Sequence, residues 1–152
     1  MIQHGKIKLR QPDGWSDETQ VVLCGDKLGT FVPNVLVANS ELESATSLPE
    51  LASFTGDHLA ATLGESDLLI VAEAMIELDK KEAFQRIYQF KLDGEGKQVV
   101  QQIQILQIRG RKALSVTFTD LIENFGASMS KTIRTILESL HWEDEDHEHH
   151  QH

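Results

Sequence analysis

The segment from Lys97 to Thr119, KQVVQQIQILQIRGRKALSVTFT, is the most regular part of the chain. Its first half interleaves amide and aliphatic side chains, Gly110 marks a turn, and its second half alternates apolar and polar residues from Leu114 to Thr119. This period of two around a central turn predicts a β-hairpin. The first arm carries apolar and amide side chains on both faces, which a half-buried strand does not need. The amides require hydrogen-bond partners, and either water or a docked molecule supplies them.

Further strands are predicted on the N-terminal side of this hairpin. The same alternation runs through Leu68–Glu77 and again through Phe84–Leu92. Together with the hairpin, these strands form three consecutive hairpins and therefore an antiparallel meander. Three shorter strand patterns lie upstream, at Lys6–Arg10, Val21–Cys24 and Asn34–Ser40. The last two of these are predicted to pair with each other.

Two amphipathic helices complete the predicted fold. The first begins at a capping box formed by Ser47 and Glu50 and ends at Gly64. The second has an apolar stripe from Phe125 to Leu140 and ends near Trp142. An antiparallel sheet with such helices predicts an α+β sandwich of about six or seven strands, with both helices packed on one face.

Composition and charge limit the class of protein. The chain has 152 residues, 40% of them hydrophobic and 25% charged, which predicts one globular domain over residues 1–142. A net charge of −10 and 14 scattered Lys and Arg residues argue against a nucleic-acid partner. The single cysteine, Cys24, excludes an internal disulfide. No secretory signal or membrane span is recognisable, so we expect a cytoplasmic protein that does not insert into membranes.

The last part of the chain, residues 143–152, is acidic and rich in histidine. It has no apolar residue and is predicted to be a disordered tail. Its imidazoles could bind a divalent metal ion, and the alternative is a solubilising tail with adventitious metal affinity. The four histidines concerned are His147, His149, His150 and His152.

No catalytic motif is present in the sequence. It contains no G-x-S-x-G, no cysteine with a nearby histidine motif and no glycine-rich phosphate loop. The spacing of Glu73 and Glu77 does not favour a paired acid and base over solvated surface residues. His58 lies in the apolar stripe of the first helix, where a packed, hydrogen-bonded histidine is more common than a metal ligand. We therefore expect a non-enzymatic protein with no cofactor.

The amide-rich sheet face is the remaining candidate for function. If Tyr88 and Val116 face the helices, alternation leaves Gln89 and Thr117 on the opposite face. A mixture of aliphatic patches and amides suits an apolar helical segment of a protein partner, and it equally suits water or self-association. The predicted partner-binding residues are Leu69, Val71, Met75, Gln85, Ile87, Gln89, Gln102, Gln104, Ser115 and Thr117.

Three local signatures accompany this order of elements, Pro12-Asp13-Gly14-Trp15, Phe31-Val32-Pro33-Asn34-Val35 and Arg109-Gly110-Arg111-Lys112-Ala113. With the layout from Ile7 to Leu140, they resemble the DcrB-like and PsbP-like superfamily. This sandwich fold is also seen in the Mog proteins that bind the Ran GTPase. The resemblance implies an antiparallel sheet with two helices, and it implies no catalytic activity.

The same resemblance implies a class of partner. The superfamily includes lipoproteins, photosystem extrinsic subunits and the cytoplasmic Eag chaperones of type VI secretion, which hold hydrophobic transmembrane helices of effectors before export. This chain shows no lipobox or leader, so the resemblance is nearest to the Eag branch. It implies a cytoplasmic chaperone or adaptor for an apolar helix of a secreted effector. The alternative is a binding module with another, unidentified ligand.

Overall fold

The structure is a computed structural model that describes residues 2–4, 7–9, 20–24, 33–64, 67–91 and 98–142. The strands are β1 (Ile2–His4), β2 (Ile7–Leu9), β3 (Gln20–Cys24), β4 (Asn34–Glu41), β5 (Leu68–Leu78), β6 (Lys81–Lys91), β7 (Val99–Arg109) and β8 (Lys112–Leu121). The α-helices are α1 (Leu48–Leu63) and α2 (Ala127–Ser139), and a short 3-10 helix (Ile122–Asn124) precedes α2. The Pro12–Trp15 signature and the predicted tail at 143–152 lie outside the described residues.

Strands β3 to β8 form one antiparallel sheet in the order β3-β4-β8-β7-β6-β5. The predicted meander is confirmed as β5 to β8, and the predicted pairing of β3 with β4 is also confirmed. Strands β1 and β2 pair with each other in a separate two-stranded ribbon. The strand predicted at Lys6–Arg10 therefore lies outside the main sheet, which has six strands in the described part of the chain.

Two-residue turns fix the register of the meander. Asp79 (φ 49°) and Lys80 (φ 68°) connect β5 to β6 with both residues in the left-handed region, as a type I′ turn requires. Gly110 (φ 59°) and Arg111 connect β7 to β8, so that Arg109 pairs with Lys112. Because each turn has two residues, the position of the turn decides which side chains of neighbouring strands share a face.

A β-bulge in β5 changes which residues of that strand face each side. The register shifts between Ile70 and Ala72, and Val71 has no residue opposite it in β6. Before the bulge Ile70 pairs with Tyr88, and after it Glu73 pairs with Arg86. Even-numbered residues therefore share a face with Tyr88 and Arg86 in the first part of β5, and odd-numbered residues do so in the second part.

The two helices lie on opposite faces of the sheet, so the prediction that they share one face is wrong. Arg86 and Gln104 point towards α1, since Arg86 donates hydrogen bonds to Gln104 and to Thr55 of α1. We call this side the α1 face. The next residue in β7, Ile105, points the other way and belongs to the main hydrophobic core. We call that side the α2 face.

The α2 face carries the main core. Fully buried side chains of this core include Ile105 and Val116, and Phe118 is nearly so. The apolar stripe of α2 packs against them through Ile133, Ile136 and Leu137, together with the following Leu140. No residue of α2 itself is buried.

Helix α1 has the predicted ends. The side chain of Ser47 accepts a hydrogen bond from the Glu50 backbone (3.2 Å), and the Glu50 carboxylate accepts one from the Ser47 backbone (3.3 Å). Gly64 forms the C-cap at φ 85° and donates to the Ala60 carbonyl. The predicted packing of His58 is wrong, because this side chain is exposed. The predicted apolar stripe of α1 is wider than the surface that a straight helix can pack against a sheet. His58 lies at the outer margin of that stripe.

Candidate functional site

A buried arginine attaches α1 to the sheet. Arg86 is 4% exposed, and its Nε donates to Glu73 Oε2 at 2.8 Å. Its Nη1 donates to Thr55 Oγ1 and to Gln104 Oε1, both at 3.1 Å, and its Nη2 donates to the Ala52 carbonyl at 2.7 Å. These five residues are the Arg86 network. A buried charge is stable only when it is paired and hydrogen-bonded, and this network joins α1 to β5, β6 and β7 in one arrangement.

A glycine of α1 makes room for this guanidinium. A Cβ atom at Gly56 would lie 2.9 Å from Arg86 Nη2 and 3.3 Å from its Cζ. Such a distance requires the guanidinium to move, and its hydrogen bonds hold it in place. The absence of a side chain at this helix position therefore allows the close approach of α1 to β6.

Two of the predicted partner-binding amides are used inside the fold. Gln104 accepts from Arg86, and Gln102 accepts a hydrogen bond from the Tyr88 hydroxyl. Gln102 in turn donates to Thr119 Oγ1 at 2.9 Å. Burial raises the pKa of Tyr88 to about 12, against the opposing effect of the Arg86 charge, so the hydroxyl remains a donor at neutral pH.

The predicted partner-binding residues do not form one surface. The pairing runs from Phe84 to Leu106 and on to Ser115, so the even-numbered residues of β6 share a face with the odd-numbered residues of β8. The sequence-based prediction that they lie on opposite faces is therefore wrong. Met75, Gln102, Gln104, Ser115 and Thr117 lie on the α1 face, Leu69, Gln85, Ile87 and Gln89 lie on the α2 face, and Val71 lies at the bulge.

The part of the predicted surface on the α2 face is open. Leu69 is 59% exposed, and Ala72 and Ala74 beside it are also exposed. Strand β6 continues this surface with side chains that are half-buried. The apolar strip, as we name it, consists of Leu69, Ala72, Ala74, Gln85, Ile87 and Gln89. Gln89 donates to Gln101 of β7 at 2.8 Å, which leaves other amide groups of this pair free to bind a guest.

The apolar strip continues into a cleft beside α2. Ile87 lies directly opposite Ile103, and Ile103 lines a cleft of about 620 Å³ between α2 and the β5–β6 turn. Apolar residues of α2 line the same cleft through Ile133 and Leu137, and charged residues line it through Lys80 and Arg134 among others. The strip and the cleft together form a continuous surface of apolar side chains, amides and peripheral charges.

The C-terminal end of α2 is held by a second hydrogen-bonded group. Trp142 Nε1 donates to Gln107 Oε1 at 2.7 Å, and the fully buried Gln107 donates to the Leu78 carbonyl at 2.7 Å. Arg109 donates to the Trp142 carbonyl at 2.8 Å and to Asp79 Oδ2 at 3.0 Å, and its guanidinium lies 5.2 Å from the centre of the Trp142 ring. These five residues form the Trp142 network, which fixes the segment that follows α2 against β7.

Asp79 is the titratable group of this network. Partial burial on its own would raise the pKa of Asp79. The hydrogen bonds from His141 and from the Trp142 backbone, with the charges of His141 and Arg109, outweigh that effect and hold the pKa below its ordinary value of 3.8.

Sequence reasoning did not single out Arg86 or Gln107 as structural residues. The available signal was a polar residue inside an otherwise apolar alternation, as Arg86 lies between Phe84 and Tyr88. Within the described ranges no group of three His, Cys, Asp or Glu residues could hold a metal ion, and the predicted tail histidines lie outside those ranges. Neither described α-helix combines the length and the apolar character that crossing a bilayer requires.

Comparison with known proteins agrees with this architecture. The crystal structure of PA94, a protein of unknown function from Pseudomonas aeruginosa, has a TM-score of 0.74 at 12% identity, covering 94% of this chain and 96% of that one. The solution structure of PsbP (CyanoP) from Synechocystis sp. PCC 6803 has a TM-score of 0.51 at 13% identity, covering 89% of this chain and 97% of that one. At these identities the likeness concerns the fold alone.

A family match covers most of the chain. No curated protein matches it by sequence. The DcrB family matches residues 6–139, which confirms the predicted resemblance. The chain belongs to the DcrB family.

Proposed function

We propose that the protein is a non-enzymatic, cytoplasmic binding protein that holds an apolar helical segment of another protein on its α2 face. The observation that carries this proposal is the apolar strip and its continuation into the α2 cleft. Exposed apolar residues scattered singly are ordinary, whereas a contiguous patch beside a cleft is typical of an interaction site.

The chemistry of this surface suits a helix as guest. Leu69 and Ile87 offer apolar area, and the amides of Gln85 and Gln89 can satisfy the small polar groups of a mainly apolar helix. Helix α2 supplies a wall that can adapt, because none of its residues is fully buried and its apolar side chains keep accessible surface. Docking of an amphipathic or apolar helix in a groove uses this combination of features.

For the guest we propose the class of partner that the resemblance to the Eag chaperones within the wider superfamily suggests. On that basis the guest is a transmembrane helix of a secreted effector, held before export by a type VI secretion system. Membership of the DcrB family is compatible with this proposal. Isolation of the native complex from cells tests the guest's identity, and an effector with an apolar N-terminal segment is the expected partner.

The docking surface can be tested with a matched pair of edge-strand variants. Leu69 in β5 and Val22 in β3 are exposed to nearly the same extent, 59% and 57%, at opposite edges of the sheet. A leucine-rich helical peptide of about 20 residues, the length of a membrane span, serves as the probe. Leu69→Lys should weaken its binding at least about tenfold, because the new charge must be desolvated beneath the guest. Val22→Lys should leave binding unchanged.

Thermal unfolding provides the control for both variants. Neither should change the melting temperature much, since both side chains are exposed. Equal weakening of binding by the two substitutions, or no effect of Leu69→Lys, would contradict the assignment of the α2 face.

A further inference from the structure

The outer edge of β5 is a second surface of interest. Strand β5 has 11 residues and is an edge strand of the main sheet. In the described part of the chain, no strand pairs with its outer side. A long exposed edge presents unpaired backbone donors and acceptors, which are a template for pairing with another chain. Natural proteins commonly protect such an edge with charged side chains or bulges. In β5 the bulge at Val71 interrupts only the first part of the strand.

The second part of β5 carries exposed acidic side chains on the α1 face. Glu73, Met75 and Glu77 follow one another on this side, and Met75 is 49% exposed. Glu77 lies directly opposite Glu82 of β6, and both are exposed. Like charges directly across a strand pair are destabilising, and β5 contains no Lys or Arg to offset the Glu77–Glu82 pair. Glu73 already uses one carboxylate oxygen, Oε2, for Arg86, but its side chain is 46% exposed and a carboxylate can accept further hydrogen bonds.

This charge pattern favours one kind of partner. A second copy of the chain would bring another β5 with the same carboxylates and no basic residue, against the background of a net charge of −10 on each copy. A strand carrying Lys or Arg opposite Glu73 and Glu77, with an apolar residue between them opposite Met75, would have complementary charge and a complementary apolar contact.

We propose that the second half of the β5 edge binds an extended segment of another protein in the pattern basic, any residue, apolar, any residue, basic. The segment adds as a seventh strand to the main sheet, so that its backbone pairs with the outer side of β5. Its basic side chains lie beside Glu73 and Glu77 on the α1 face. This surface is distinct from the apolar strip, which lies on the α2 face.

A labelled peptide containing lysine, threonine, valine, threonine and lysine in that order tests this proposal by fluorescence anisotropy. It should bind, and binding should fall as salt is added, because exposed charge pairs are screened. Replacement of the valine by serine, of the lysines by glutamate, or of the threonines by proline should each abolish binding. Proline removes the backbone donors that an added strand needs. Equal binding of the serine or proline peptide would overturn the proposal, since charge alone would then explain the result.

Matched charge reversals locate the site on the protein. Glu77→Lys should weaken peptide binding about fivefold to tenfold, because it removes one ion pair and adds a repulsion. Glu123→Lys makes the same change of net charge at an exposed residue of the 3-10 helix and should leave binding unchanged. Equal weakening by both variants would overturn the proposal.

Two further measurements separate the remaining outcomes. Sedimentation of the full chain that shows a dimer, dissociated by Met75→Lys, would assign the edge to a second copy and overturn the proposal. Leu69→Lys should weaken the helical probe and leave the lysine–valine peptide unaffected. A failure of the proposed helix site is therefore distinguishable from a failure of the edge site.

Discussion

Helices α1 and α2 cover opposite faces of one sheet, and they are attached to it by different means. Helix α1 is tied through the Arg86 network, in which a buried guanidinium binds both the Thr55 side chain and the Ala52 carbonyl. Helix α2 rests on the core through partly buried apolar side chains, and among the described residues its hydrogen bonds to the sheet come from the segment beyond its C-terminal end.

This difference determines how firmly each helix is positioned on the sheet. Hydrogen bonds of fixed geometry specify a single position for α1 and occupy the polar groups of the α1 face. Apolar contacts are not directional, so α2 can cover its face while leaving a cleft and accessible apolar area beside it. Helix α2 therefore leaves accessible apolar surface beside it, and the comparison can be tested from both sides.

The largest expected effect is on the α1 side. Arg86→Leu removes the guanidinium donors, so Gln104 Oε1 and the Glu73 carboxylate lose this partner, whereas the Ala52 carbonyl keeps its bond from Thr55 Oγ1. We expect the free energy of unfolding in urea to fall by about 3 kcal/mol. Glu73→Gln is the comparison variant: the new amide oxygen can still accept from Arg86 Nε, but the buried guanidinium loses its anion, so we expect a smaller loss of about 1–2 kcal/mol. Equal losses would mean that the ion pair, and not the bonds to α1, supports the structure.

A smaller effect is expected on the α2 side. Trp142→Phe keeps an aromatic ring and removes the donor to Gln107 Oε1 in a buried position. The expected loss of unfolding free energy is about 1–2 kcal/mol. Hydrogen exchange of backbone amides should show faster opening of α2 and unchanged opening of α1. An equal change in both helices would contradict the idea that they are attached independently.

The smallest effect concerns acid stability. The folded-state pKa of Asp79 is depressed, so this carboxylate contributes stability that is complete above its ordinary pKa of 3.8 and is lost as the pH falls through the lower folded value. Asp79→Asn should remove that contribution, so the difference in melting temperature between parent and variant should shrink at low pH. A difference that stays constant from neutral pH to pH 3 would contradict this role.

Much of the fold could be predicted because its elements depend on local chemistry. Ser47 and Glu50 supply the capping box, and the alternation of apolar and polar residues within each strand marks β5 to β8. The bounds of α2 follow in the same way from the stripe that contains Ile133 and Leu137. Each of these features involves residues that are close in sequence.

The placement of the helices could not be read from the same patterns. Alternation identifies which residues of one strand share a face, whereas the matching of faces between strands depends on the turns and on the bulge at Val71. The two-residue turn at Gly110 and Arg111 did contain the information that even-numbered β7 residues pair with odd-numbered β8 residues. The bond from Arg86 to α1 depends on a contact between distant parts of the chain, and no local pattern predicts it.

Substitutions at Gly56 and Arg86 are structurally coupled. Because a Cβ at position 56 would lie 2.9 Å from the guanidinium, a larger residue there displaces the end of the Arg86 side chain and strains its hydrogen bonds, and a shorter side chain at position 86 removes that conflict. A shorter residue at 86 would in turn leave space above β6 that alanine at 56 could fill, with a gain in helix propensity. Substitutions at these two positions are therefore expected to occur together in functional variants of this chain, and either one alone is expected to be selected against.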